Sequence, residues 1–143
     1  MNDKNPENYA SWVVIIIHNV GNDDVKLKNL EVTWGMLHAD GNRDEEVSPD
    51  KYEGCIIGPD KKLQLNGHQR MNSPSGTTGK FDLCDANDGD KVIRRFYWDC
   101  PRFAQPNTWT VSGSNSQWTV EDKGANLEGA LGVITVDVMK EGN

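Results

Sequence analysis

Three histidines (His18, His38, His68), three cysteines (Cys55, Cys84, Cys100) and two acidic loops are the residues here whose types could do catalysis or hold a metal. Their spacing argues against both. No two histidines lie at metal-ligand spacing, and there is no His-Glu-x-x-His, no Gly-x-Ser-x-Gly and no phosphate-cradling Gly-Lys-Ser loop. Each histidine therefore reads as a hydrogen-bonded structural residue. Asp40-x-Asn42-x-Asp44 lacks the sixth-position glycine of an EF-hand loop, and Asp85-x-Asn87 places Gly89 at the fifth position. Both loops read as solvated turn carboxylates. Cys100 follows Asp99, and a cysteine with histidines elsewhere is the raw material of a cysteine hydrolase. A neighbouring carboxylate, however, raises a thiol's pKa, and free cysteine is usually a small buried hydrophobe. Cys55 and Cys84, beside Ile56 and Leu83, also read as core. The chain is expected to have no catalytic residue, no metal and no cofactor.

Binding chemistry is better represented. Five tryptophans in 143 residues exceed what one small core needs. Trp34, Trp98 and Trp118 continue alternating apolar patterns and are core by default. Trp12, at the entrance to a strand beside Tyr9, and Phe103, beside Arg102 in a proline-bracketed segment, are harder to bury. For these two a binding role weighs equally with a packing one. Aromatic faces attract a cation and an arginine pairs with phosphate, so an aromatic rim with one Arg suits a phosphate-bearing zwitterion. The same rim would suit a sugar, which leaves a carbohydrate-binding sandwich as the alternative.

The elements that must position these residues are short strands. Residues 94–120 alternate large apolar and polar side chains at both ends, Phe96 with Trp98 and Trp118 with Val120. This predicts a strand, an aromatic loop carrying Asp99-Cys100-Pro101, and a hairpin turning between Trp109 and Trp118. Val13 to Ile17 is a continuous β-branched run, which predicts a central strand buried on both faces. In the next strand Val25 and Leu27 fall on odd positions but Leu30, Val32 and Trp34 on even ones. A bulge or bend at Lys28 and Asn29 would keep Leu27 and Leu30 both inward. His38 to Glu46 reads as a solvated loop, and so does the stretch 67–79. Asn66-Gly67 reads as a turn, as does the run from Asp85 to Asp90. No amphipathic helix of two or more turns is apparent. The expected fold is all-β, an antiparallel sandwich of two packed sheets in a single domain.

Composition excludes several partner classes. The net charge is −7, whereas phosphate backbones and anionic leaflets recruit clustered Lys and Arg, so nucleic acid is not expected as a partner. Any membrane contact must go through aromatic and hydrogen-bonding groups that recognise a neutral or zwitterionic head group. An odd, sparse set of cysteines predicts three reduced thiols. The opening residues carry no basic region followed by a long apolar run, and no stretch approaches the ~20 apolar residues of a spanning helix. Cytosolic synthesis without a signal peptide is expected, with non-classical release open and membrane contact peripheral. Residues 1–8 are expected to be a disordered tail and residues 9–143 the folded domain, monomeric in solution.

Six stretches carry a resemblance. They are Trp12-Val-Val-Ile-Ile-Ile-His-Asn-Val-Gly, Trp34-Gly-Met-Leu-His-Ala-Asp-Gly, Tyr52-Glu-Gly, Gly76-Thr-Thr-Gly, Phe96-Tyr-Trp-Asp-Cys-Pro and Asn107-Thr-Trp-Thr-Val-Ser-Gly-Ser-Asn. With Gly-Ala-Leu-Gly-x-Ile-Thr-Val-Asp near the end, they make the chain resemble the aegerolysins from Tyr9 to Asn143. The resemblance implies an actinoporin-like sandwich without enzymatic activity. It also implies binding to membrane sphingolipid, either ceramide phosphoethanolamine or sphingomyelin with cholesterol. Some members recruit a membrane-attack-complex/perforin-type protein that makes the pore, the small protein serving as lipid receptor. The family's head-group site maps onto Trp12, Trp34 and Ser75. Close relatives often carry Glu where this chain has Ser75, and Trp where it has Arg102 followed by Phe103. The candidate site is thus Trp12, Trp34, Ser75, Arg102 and Phe103.

Overall fold

Alternation along the β-branched run sets the first layer. A computed structural model describes residues 11–103 and 105–142, so the tail expected at residues 1–8 lies outside the described residues. In β1 (Trp12–Asn19) Val13, Ile15 and Ile17 are buried while Val14 and Ile16 are only half-buried. The run is central, as expected, but buried on one face only. Its outer face looks across to Asn66 and Gln64 on one side and to Val133 and Thr135 on the other. Among the described residues no further layer covers it.

Two sheets pack face to face. β1 joins a six-stranded sheet with β3 (Met36–Ala39), β4 (Asn42–Val47), β6 (Lys62–His68), β10 (Trp118–Lys123) and β11 (Gly132–Lys140), in the order β10-β11-β1-β6-β3-β4. The other sheet holds β2 (Val25–Trp34), β5 (Ile56–Ile57), β7 (Thr77–Asp85), β8 (Lys91–Cys100) and β9 (Thr108–Ser112), ordered β5-β2-β7-β8-β9. The pairings are antiparallel except β1 with β11, which run parallel and place the first and last strands side by side. A parallel pair needs a long crossover. Here the crossover is nearly the whole chain. The core between the sheets includes Ile15, Ile17, Leu27, Phe81, Leu83, Phe96, Trp98 and Ile134, with Phe81 and Phe96 stacked at 4.7 Å between ring centroids.

The expected bulge is present. Pairing with β7 shifts between Lys28 and Glu31, Asn29 takes φ 59°, and Leu27 and Leu30 are 0% and 7% exposed. The Glu53 carboxylate accepts from both freed amides, Asn29 N–H at 3.0 Å and Leu30 N–H at 3.2 Å. Backbone donors left over by a bulge need such a partner.

Several expectations are corrected. Trp109 and Trp118 do not flank a hairpin, because β9 closes the edge of one sheet and β10 the edge of the other. Asn115 turns the chain, its carbonyl accepting from Trp118 N–H at 3.0 Å and its amide donating to Val92 O at 3.3 Å. Trp118 thereby drops into the core. Asp99 and Cys100 end strand β8 and are not loop residues. Asn66-Gly67 is not a turn either, since β6 runs through it with Gly67 opposite both Val13 and Leu37. The stretch 38–46 is a hairpin, β3 with β4, and the buried Gly67, His68, Gln69 and Thr77 shorten the loop expected there to 70–75, exposed except at the half-buried Ser73 and Ser75. All three cysteines are free. Cys84 and Cys100 are buried, whereas Cys55 is half-exposed and lies at the core's edge, its thiol donating to Lys51 O at 3.5 Å.

Candidate functional site

The candidate residues are fixed by backbone contacts at one end of the sandwich. Ser11 is fully buried and anchors the start of β1. Its N–H donates to the Gln69 side-chain oxygen at 3.2 Å, its carbonyl accepts from Gln69 N–H at 3.0 Å, and its hydroxyl donates to Pro101 O at 2.9 Å. The segments after β6 and β8 are thus tied to the residue preceding Trp12. Trp12 is paired with His68, which is paired in turn with Met36, so the three share the outer face of the six-stranded sheet.

Trp34 ends β2, and Gly35 lets the chain cross to the other sheet. Gly35 has φ +81°, and a Cβ there would lie 2.5 Å from His68 O and 2.9 Å from Gly76 O. Only glycine permits that turn and that approach. A second register shift, between Val32 and Trp34, rotates the indole outward. Trp34 is therefore 56% exposed, which corrects its assignment to the core by alternation. Gly76 is under a similar constraint, since a Cβ would stand 1.9 Å from Cys100 O. Close contact at Gly76 holds the half-buried Ser75 beside the segment that follows β8. Ser75 N–H donates to Ser73 Oγ at 3.1 Å, and the Arg102 guanidinium donates to the Ser73 carbonyl.

The structure thus gathers all five residues at one end while dividing them between two surfaces. Ser75, Arg102 and Phe103 form one group, with the guanidinium carbon 5.7 Å from the Phe103 ring centroid and Phe103 66% exposed. Trp34 joins them through the Gly35 to Gly76 contact. Trp12 stands on the outer face of the six-stranded sheet and is linked through Ser11 and Pro101. Arg102 and Phe103 also wall a cleft of about 520 Å³ whose other side is Leu127, Glu128 and Gly129. Leu127, 72% exposed, has no counterpart among the residues marked by the sequence. It lies in a Gly- and Asn-containing stretch with no periodicity to mark it.

Beside Trp12 lies a second feature that sequence spacing did not reveal. His38 and His68 are hydrogen-bonded, as expected, but to each other, their Nδ1 atoms facing at 2.8 Å. At that distance one ring donates and the other accepts. Burial pushes the His68 pKa down to about 4, helped by repulsion from His38, Arg43 and Arg70, while Glu46 works the other way. Burial also lowers His38. Arg70 holds Glu46 through two nitrogens, at 3.2 and 2.7 Å.

Two further residues weighed for their chemistry, Cys100 and Asp85, are held by contacts within the fold. The Cys100 thiol donates to Gly129 O at 3.5 Å, and burial raises its pKa. Asp85 is not a solvated turn carboxylate but fully buried. It accepts from the Trp118 indole at 3.1 Å and from Asn87 N–H at 3.0 Å, and it pairs with Lys140 at 3.0 Å.

Comparison with known proteins agrees with the fold. The family model described as Aegerolysin matches residues 10–141. Ostreolysin A6 of Pleurotus ostreatus is 61% identical over 94% of this chain and 99% of that relative. Aegerolysin Aa-Pri1 of Cyclocybe aegerita is 55% identical over 99% of this chain and 98% of its own. Among solved structures, IP-1A from Alcaligenes faecalis superposes with a TM-score of 0.86 at 33% identity, covering 99% of both chains. A match along nearly the whole chain, in both sequence and fold, makes this protein a member of the aegerolysin family.

Proposed function

We propose that this aegerolysin binds membrane sphingolipid through the end of the sandwich that carries Trp12, Trp34, Ser75, Arg102 and Phe103. The observation that carries the reading is the exposure of Trp34 and Phe103 beside Arg102, on backbone contacts too close to yield. Large exposed aromatics on a rigid frame mark a binding surface. Aromatic faces receive the ammonium of a ceramide phosphoethanolamine or sphingomyelin head group, with cholesterol in the second case, and Arg102 receives the phosphate. With a net charge of −7 the protein gains nothing from long-range attraction to anionic lipid.

The lysin names of its relatives favour a part in membrane lysis, and we place the chain in a pore-forming pair. Among the described residues no helix is long and apolar enough to cross a membrane. The small protein acts as the lipid receptor, and a membrane-attack-complex/perforin-type partner supplies the span. Sedimentation with vesicles of defined sphingolipid and sterol content tests the first half. Binding to sphingolipid vesicles, with anionic phospholipid unable to replace them, is expected, and Trp12→Ala should weaken it by about 1 to 3 kcal/mol. Dye release that appears only when a perforin-like protein is added tests the second half. Efficient release by the purified protein alone would sink it.

A further inference from the structure

The outer face of the six-stranded sheet brings together two imidazoles that lie 30 residues apart in the chain. Pairing of β3 with β6 sets Met36 opposite His68, and pairing of β3 with β4 sets Glu46 opposite His38. Met36 and His38 are two positions apart on β3, so all four side chains share one face. The inward positions beside them, Leu37 and Gly67, are buried. The two rings meet with their Nδ1 atoms 2.8 Å apart and their planes tilted by 52°. Arg70 holds the Glu46 carboxylate at 2.7 Å and contacts the Met36 sulfur at 3.7 Å. Solvent reaches this rim, since the Arg70 and Glu46 side chains are 53% and 51% exposed.

Two features fit the pair to a metal ion as well as to the proton it shares. The first is chemical, because neutral imidazole is the ligand form and burial keeps both rings neutral at neutral pH. Arg43 and Arg70 oppose a cation near His68, but Glu46 there and Asp40 near His38 offset them. The second feature is geometric. With metal–nitrogen bonds of about 2.0 to 2.1 Å, nitrogens 2.8 Å apart subtend an angle of about 84 to 89° at the ion. A tetrahedral ion such as zinc needs its ligand nitrogens about 3.3 Å apart. Right-angled ligation by nitrogen belongs to the tetragonal ions copper(II) and nickel(II). When the ion enters, whichever ring donates at Nδ1 carries its proton at Nε2 instead, so both Nδ1 lone pairs become ligands and no proton is released.

We propose that His38 and His68 form a two-nitrogen site for a tetragonal divalent metal ion, copper(II) or nickel(II). Among the described residues no group of three or more His, Cys, Asp or Glu is placed to hold a metal, so the two imidazoles are the protein's whole share and water completes the coordination. The ion ties β3 to β6 at the rung where His68 also pairs with Trp12. Arg102, Phe103 and Ser75 take no part, so the site stands or falls independently of the membrane reading. His18, whose Nε2 meets an Asp60 side chain that is 94% exposed, has no second imidazole beside it and serves as the control.

Calorimetric titration with nickel(II), which leaves thiols unoxidised, tests the site. The parent should bind with a single-site isotherm, and His38→Gln and His68→Gln should each weaken binding by about tenfold or more. His18→Gln and Cys55→Ser, which remove the remaining histidine and the half-exposed thiol, should bind as the parent does. Copper(II) added to Cys55→Ser should give the electron paramagnetic resonance spectrum of an axial ion with two nitrogen ligands, and adding His38→Gln should abolish it. Circular dichroism checks that each variant is folded. Where the buried His68 does not tolerate replacement, the half-buried His38 decides. No uptake by the parent, uptake that survives His38→Gln unchanged, or uptake lost in His18→Gln or Cys55→Ser instead would overturn the assignment.

Discussion

The two ends of the sandwich use tryptophan in opposite ways. At one end Trp118 is 3% exposed, its indole N–H donates to the buried Asp85, and Lys140 neutralises that carboxylate while lying 6.0 Å from the Trp118 ring centroid. Each of these polar groups has a partner inside the fold. At the other end Trp34 and Phe103 turn outward, and rigidity comes from backbone packed on backbone at Gly35 and Gly76. Burying an indole with its N–H satisfied stabilises a fold, whereas holding one in solvent on a rigid frame leaves apolar area for a partner to cover. The first end supplies stability. The second draws on little of it and keeps its surface available.

Substitutions that swap these roles would break the comparison. Trp118→Ala should have the largest effect, about 3 to 5 kcal/mol of lost stability in urea unfolding, because it opens a core cavity and strips Asp85 of a donor. Vesicle binding by the folded fraction should be unchanged. Trp34→Ala should do the reverse, weakening vesicle binding by about 1 to 3 kcal/mol with stability within about 0.5 kcal/mol of the parent. Equal stability losses from the two variants would show that both indoles are structural.

Acid should separate the ends by pH. The His68 pKa falls from the ordinary histidine value of 6.5, which the unfolded chain keeps, to about 4 in the fold, so between those values the unfolded chain holds more protons at this group. Its contribution is therefore full above about pH 6.5 and is lost as pH falls to about 4. Burial alone would raise the Asp85 pKa, but hydrogen bonds from Lys140, Asn87 and Trp118 outweigh it, and the group ends below 3.8. That contribution holds above pH 3.8 and disappears below it. Urea midpoints against pH should fall in two windows. His68→Gln should flatten the upper window and Asp85→Asn the lower, and a single shared transition would refute the assignment.

The smallest effect sharpens the site. Ser75→Glu adds a carboxylate at the half-buried position beside the Arg102 anchor. It should shift the preference between ethanolamine and choline sphingolipids by less than about tenfold, a change under about 1.4 kcal/mol, with little change in stability. Competitive binding to mixed vesicle populations reads this directly, and an unchanged ratio would place Ser75 outside the head-group site.

Period-two alternation, turn residues and residue chemistry determined much of this protein from sequence alone. The strands containing Phe96 and Trp98, the bulge that turns Leu27 and Leu30 inward, the turn from Asp85 to Asp90 and the family signature were all legible there. These are local properties, since a side chain's face follows from its neighbours' parity. Tertiary structure decided what parity cannot encode. It rotated Trp34 out through a second register shift and sent β9 and β10 to different sheets. It also brought His38 onto His68, and set Glu128 across a cleft from Arg102. Each of these depends on which distant backbones pair and how closely they approach. That is settled by packing two sheets around one core, not by the order of residues along a strand.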